Sequence, residues 1–415
     1  MISEITGGVT AAKGFRAASC AAGIKYQGRT DMAMIACSVP CAVAGTFTSN
    51  QVKAAPVLWD MDVVFRKKQA QAVVVNAGIA NAATGETGLA LCRETAEYTG
   101  NRLGIPADSV LIGSTGVIGP NIPVDRISAG VDMMVPALAD TAEAGTAASR
   151  AIMTTDTVNK EFAVAFDLPA VSGNGTVTVR LGGISKGSGM IHPNMCTMLA
   201  YLTTDCAVDQ ALLQQALREV VKDTFNMISV DGDTSTNDTL LVLASGLAGN
   251  KPVTSADDPG YALLKDALFT VCRSLAVLMA GDGEGATHLI EMTVTGADTK
   301  ENARTLARSV VSSSLVKAMI YGKDANCGRI LCALGYAGPA FNPDRVDLYL
   351  LGSSGDVCFC LNGRVQEFDE DKALEILSGH DVRFTADMHM GSESAVAWGC
   401  DLTYDYVKIN GDYRS

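Results

Sequence analysis

The chain has 415 residues, of which 48% are hydrophobic, 19% charged and 6% aromatic; so much apolar sequence supports a large core and excludes a disordered polypeptide. Against 32 basic residues stand 45 acidic ones, and the net charge of −13 argues against nucleic acid as a general partner. The N-terminus lacks a basic segment followed by an apolar one, and no apolar run is long enough to span a bilayer, so a cytoplasmic protein with no membrane partner is expected.

Strand and helix patterns alternate along the chain. Ala72 to Val75 is a short apolar run ending in Asn-Ala-Gly and predicts a buried strand. Glu86 to Tyr98 predicts a helix, and Ser109 to Ile112 a strand running into the glycine-rich stretch GSTGVIGPNIP. Val124 to Leu138 is again helical in pattern. Glu161 to Phe166 and Val177 to Leu181 predict strands around the turn sequence SGNGT.

After the loop GGISKGSGMIHPNM, the stretch from Thr197 to Leu202 predicts another strand. Asp209 should cap a helix whose apolar positions Leu212, Leu213, Ala216, Leu217, Val220 and Val221 follow helical spacing. Tyr261 to Met279 predicts a long helix. A weak boundary falls at GDGEGAT, residues 281 to 287. Beyond it come a strand (Leu289 to Val294), a helix (Lys300 to Ser312) and two strands (Val346 to Leu351 and Val357 to Leu361). The last stretch, from Trp398 to Ser415, carries enough Tyr and Asp to suggest a docked terminus.

Twelve cysteines scatter between Cys20 and Cys400 with no CxxC spacing, and the four histidines (His192, His288, His380 and His389) form no metal-binding pattern. Buried free thiols and no metal are expected.

The segment Lys186 to Leu199, KGSGMIHPNMCTML, carries the most chemistry. Glycines and a proline keep the backbone irregular up to a β-branched threonine that opens a strand pattern. Cleavage between Cys196 and Thr197 would give Thr197 a free α-amine with a pKa of about 7.7–8.0. That amine could serve as the base for its own hydroxyl, and no histidine would be needed. The same residues fit a glycine-rich loop before an ordinary strand, so by themselves they leave the question open.

Other stretches, in order, are GGVTAAKGFRAA, VVVNAGIANAATG, LIGSTGVIG, MTTDT, VDGDTSTNDT, GDGEGAT, YGKDANCGRI and the ending AWGCDLTYDYVKINGDYRS. Together with KGSGMIHPNMCTML they resemble, over the whole chain, the ornithine acetyltransferase family of arginine biosynthesis. The resemblance implies an α/β fold. This would be an N-terminal-nucleophile-like α/β sandwich over residues 1–285, with a C-terminal α/β domain over 286–415 whose tail docks at the active site. It implies self-cleavage between Cys196 and Thr197 into two chains that remain associated, as an α2β2 heterotetramer or larger.

It further implies Thr197 as nucleophile and Thr115 and Gly116 as the oxyanion hole. Thr154, Lys186, Thr197, Glu284, Asn410 and Ser415 match substrate-binding positions. The implied reaction is ping-pong transfer of acetyl from N2-acetylornithine to glutamate, without metal or organic cofactor. Acetyl-CoA is a candidate second donor. A β-aminopeptidase, an acetyltransferase of a specialised pathway and a non-catalytic binding module are the competing readings. The chain departs from the family pattern at Cys196, usually alanine, at Ala77 and Ile79, usually Ser and Asn, and at the terminal Ser415, more often Thr.

Overall fold

In a computed structural model of the chain, residues 1–173, 175–192 and 198–412 are described. They divide into two compact units. The first comprises residues 1–173, 175–187, 198–225 and 234–275. The second comprises residues 188–192, 226–233 and 276–412. The largest segment of the second unit thus begins inside the long helix Pro259–Gly281, where composition shows no break, and two short earlier segments join it.

The first unit is built on a nine-stranded sheet. Ser3–Ile5 lies at one edge, antiparallel to Lys160–Pro169. Next come Thr176–Lys186 and Leu199–Thr204, each antiparallel to its predecessor. Thr239–Ala244 adds in parallel, then Met32–Phe47 and Gln69–Asn76 in antiparallel fashion, and Val110–Ser114 closes the far edge in parallel. Phe15–Cys20 also pairs with the first half of Met32–Phe47.

Alternate residues of one strand enter two different cores. Val73 and Val75 join a cluster with Phe15, Ile35, Leu111, Ala148, Leu199 and Leu241. Ala72 and Val74 join another with Met34, Cys92, Ala96, Ile127, Val131 and Met134. Met34 comes from the neighbouring strand, and the others from the helices Gly85–Leu103 and Val124–Ala137. Burial on both faces explains why the run AVVV shows no polar alternation.

The second unit has a seven-stranded mixed sheet. Glu393–Cys400 and Asp381–Asp387 flank Leu289–Ala297, the former antiparallel and the latter parallel. The helix Lys300–Ser312 has the expected bounds and packs on this sheet, with Ala303, Leu306, Ala307, Val310 and Val311 buried. Thr299 caps it by accepting from the Asn302 N–H. The architecture belongs to the expected α/β class. No helix among the described residues is long and apolar enough to cross a membrane.

Candidate active site

In the first unit, the parallel strands Gln69–Asn76 and Val110–Ser114 end level with each other, Asn76 opposite Ser114. Loops that leave the carboxyl ends of parallel strands are where α/β folds place ligands. Here the two loops pair again over a two-residue parallel ladder, Ile79–Ala80 with Val117–Ile118. Asn76 fixes the geometry between the ladders. Its Nδ2 donates to Ile79 O at 2.8 Å, and its carbonyl accepts from the Thr115 N–H at 3.0 Å. Ser114 Oγ donates to Ile79 O at 3.1 Å. Ile79, one of the departures from the family pattern, turns its side chain into the apolar cluster, and its carbonyl takes both bonds.

This arrangement presents two candidate donors at Thr115 and Gly116. Gly116 has φ +126°, and a Cβ there would collide with the Gly78 carbonyl, so only glycine fits. The Thr115 N–H is engaged by Asn76; among the described residues nothing accepts from the Gly116 N–H.

The Thr115 hydroxyl is oriented by Lys186, the last residue of the strand Thr176–Lys186. Lys186 Nζ donates to Thr154 Oγ1 at 2.8 Å and, over a longer 3.4 Å, to Thr115 Oγ1. An ammonium has no acceptor. Thr115 Oγ1 therefore accepts from Lys186, and its own O–H is left to point at an oxygen. Structure thus brings together three of the residues singled out above, Thr115, Thr154 and Lys186.

Beneath them lies an acid that sequence reasoning missed. Asp156 and Lys160 form an ion pair of 2.7 Å with both side chains 0% exposed. Lys186 Nζ is 3.9 Å from the other carboxylate oxygen. The Asp156 carboxylate also accepts from the Thr154 and Gly187 N–H groups, at 3.0 and 2.7 Å. Burial alone would raise its pKa, but the charges of Lys186 and Lys160 and these hydrogen bonds outweigh it. The carboxyl is held well below the usual range. Two ammoniums share this one carboxylate. A site of that kind favours a carboxylate or a developing oxyanion.

In the second unit, Glu284 is buried at 6% exposure. Its N–H donates to Ser188 O at 2.8 Å, and its Oε2 accepts from Asn410 Nδ2 at 2.7 Å. A Cβ on Gly189 would run into the Glu284 carboxylate, so glycine there permits the close approach. Asn410 lies on the exposed helix Tyr404–Gly411. Thr403 caps that helix, accepting from the Tyr406 N–H at 3.3 Å, and donates to Gly285 O at 2.7 Å. That clasp ties the C-terminal helix to the GDGEGAT turn. Thr197, Cys196 and Ser415 lie outside the described residues.

Comparison with known proteins gives a consistent picture. The ArgJ family matches residues 16–415. The arginine biosynthesis bifunctional protein ArgJ of Symbiobacterium thermophilum is 51% identical over 413 residues, 99% of each chain. The protein of the same name from Thermotoga neapolitana is 46% identical over 404 residues, 97% of this chain and 99% of that one. Among solved structures, an ornithine acetyltransferase of Mycobacterium tuberculosis complexed with ornithine shares 41% identity over 47% of this chain and 99% of that chain, with a TM-score of 0.42.

Proposed function

The chain belongs to the ArgJ family of bifunctional arginine-biosynthesis proteins, and on that premise we propose that it moves the acetyl group of N2-acetylornithine to glutamate through an acetyl-Thr197 intermediate. The enzyme first cuts itself between Cys196 and Thr197. Thr197 Oγ then attacks the acetyl carbonyl while its own α-amine takes the hydroxyl proton. The negative charge that develops on the carbonyl oxygen is met by the Thr115 hydroxyl and the Gly116 N–H. Collapse breaks the amide bond, and the proton passes to the departing ornithine amine. The amine of glutamate attacks the acetyl ester next, returns the hydroxyl to Thr197 and leaves as N-acetylglutamate.

Lys186 meets a substrate carboxylate and Glu284 an ammonium, with Thr154, Asn410 and Ser415 completing the contacts. No metal or organic cofactor takes part. Acetyl-CoA serves as a second donor, in line with the word bifunctional in the relatives' names. We place the enzyme in the cytoplasm as an α2β2 assembly or larger.

The observation that carries this reading is the Thr115 hydroxyl, which accepts from Lys186 beside a Gly116 N–H that no described residue accepts from. It is tested by Thr115→Ala in an assay of acetyl transfer from acetylornithine to glutamate. Removing one oxyanion donor costs on the order of a hundredfold in kcat, and KM should change little. An unchanged kcat in properly cleaved protein removes Thr115 from the mechanism. Free acetate in place of N-acetylglutamate would instead mark a hydrolase.

A further inference from the structure

The described residues just ahead of the proposed scissile bond are held unusually tightly. The Met190 N–H donates to Asp231 Oδ2 at 2.6 Å, and the Ile191 N–H to Asp231 Oδ1 at 2.8 Å. The Val230 N–H donates back to Ile191 O at 2.6 Å. His192 follows, with Nδ1 3.0 Å from Ser229 Oγ and Nε2 3.1 Å from Arg308 Nη2. A guanidinium can only donate, so Nε2 accepts and the ring is neutral. Burial first, and then the Arg308 charge, push the His192 pKa down to about 4.

Asp231 has a third partner: Tyr406 Oη, from the C-terminal helix, donates to Oδ2 at 3.2 Å. Met190 has φ +56°, in the left-handed region that a non-glycine residue occupies only when its surroundings impose it. The imposed geometry has an evident source, because the Met190 amide and the next one along are bound by the two oxygens of one carboxylate.

We infer that Asp231 is a positioning residue for self-cleavage, fixing the strained turn at Met190–Ile191 a few residues ahead of the Cys196–Thr197 bond, with Tyr406 bracing the carboxylate. This inference rests on the reading that the chain cleaves at that bond. Asp231 acts through the backbone of residues 190 and 191. The Asp231 carboxylate thus accepts four hydrogen bonds, the fourth a longer one of 3.4 Å from the Asp233 N–H to Oδ1.

The test is pulse-labelled synthesis of the full chain, following conversion of precursor into two chains, for wild type, Asp231→Asn, Tyr406→Phe and Leu306→Ala. Asparagine keeps the size but replaces one acceptor oxygen by a donor. Losing one charge-assisted hydrogen bond should slow cleavage about tenfold in Asp231→Asn. Tyr406→Phe leaves both loop bonds in place and should slow it less. Leu306 is buried in the helix of the same unit, and Leu306→Ala lowers Tm without touching the turn; its cleavage rate should stay near wild type.

Wild-type cleavage in Asp231→Asn overturns the inference. So does a slowing that follows Tm across all the variants. Amide hydrogen exchange over residues 188–192 separates this failure from that of the underlying reading. In wild type the Met190 and Ile191 amides should be protected, and about tenfold less so in Asp231→Asn. A wild-type chain that never cleaves removes the self-cleavage reading and this role with it, whether or not those amides are protected.

Discussion

Thr197→Ala should leave a single uncut chain of 43.2 kDa with no acetyl transfer. The effect is expected to be total on cleavage, because the hydroxyl that attacks the preceding peptide bond is gone. It is expected to be near-total on transfer for a second reason. Without cleavage there is no free amine at residue 197, and without the hydroxyl there is nothing to acylate. Losing a nucleophile that works as a unit with its base costs on the order of a millionfold in kcat in other acyl-transfer enzymes. A denaturing gel and intact mass read the first result and a transfer assay the second. Two chains in Thr197→Ala would rule out this threonine as the processing nucleophile.

Asp156→Ala should be the most destabilising single change in the candidate site. It would take from the Lys160 ammonium, 0% exposed, its carboxylate partner at 2.7 Å, and from Lys186 a carboxylate oxygen at 3.9 Å. Removing one member of a buried ion pair costs about 3–5 kcal/mol, a large part of the roughly 5–15 kcal/mol that a domain has in total. The pH dependence follows from the depressed carboxyl of Asp156. Its folded pKa lies below the unfolded value of about 3.9, so its contribution is fully present above that value. It is lost as the pH falls through the folded pKa. The variant should therefore differ most from wild type at neutral pH, and the gap should narrow only in strong acid. Denaturant melts at pH 7 and in acid check this. A loss below about 1 kcal/mol at pH 7 would mean that the lysines find other compensation.

Much of the fold is legible where one physical signal dominates. The capped amphipathic helix Lys300–Ser312 appears with its expected ends, and Asp209 accepts from the Ala211 N–H at the start of Gln210–Val220. The short strands around residues 72–75 and 109–112 appear slightly longer or shifted, as Gln69–Asn76 and Val110–Ser114. The sixteen-residue strand Met32–Phe47 went unread. Its sequence MAMIACSVPCAVAGTF has no alternation, being buried on both faces for much of its length. It also carries Pro40 within a register shift between Ala36 and Cys41; proline in a strand belongs at such irregularities. The strand Thr239–Ala244, apolar after its first residue, was missed because periodicity does not distinguish a fully buried strand from a buried helical segment.

The site was legible in its residue types and not in its contacts. Thr115, Thr154 and Lys186 lie 32 to 71 positions from one another along the chain where they meet, and no spacing rule links them. Resemblance supplied their roles, and geometry shows how one ammonium orients two hydroxyls. Asp156 and Asp231 stood inside the motifs MTTDT and VDGDTSTNDT, but nothing local distinguishes a clamp from a loop acid. Their work is visible only once the N–H groups that they accept from are placed around them.

The central claim is a covalent acetyl-enzyme at Thr197, and intact mass of the protein after brief exposure to N2-acetylornithine, with glutamate absent, tests it most directly. The account predicts one added acetyl group, on the chain that begins with Thr197, which disappears when glutamate is supplied. Turnover to N-acetylglutamate with no adduct at any time under single-turnover conditions would contradict it and require direct transfer between two bound substrates.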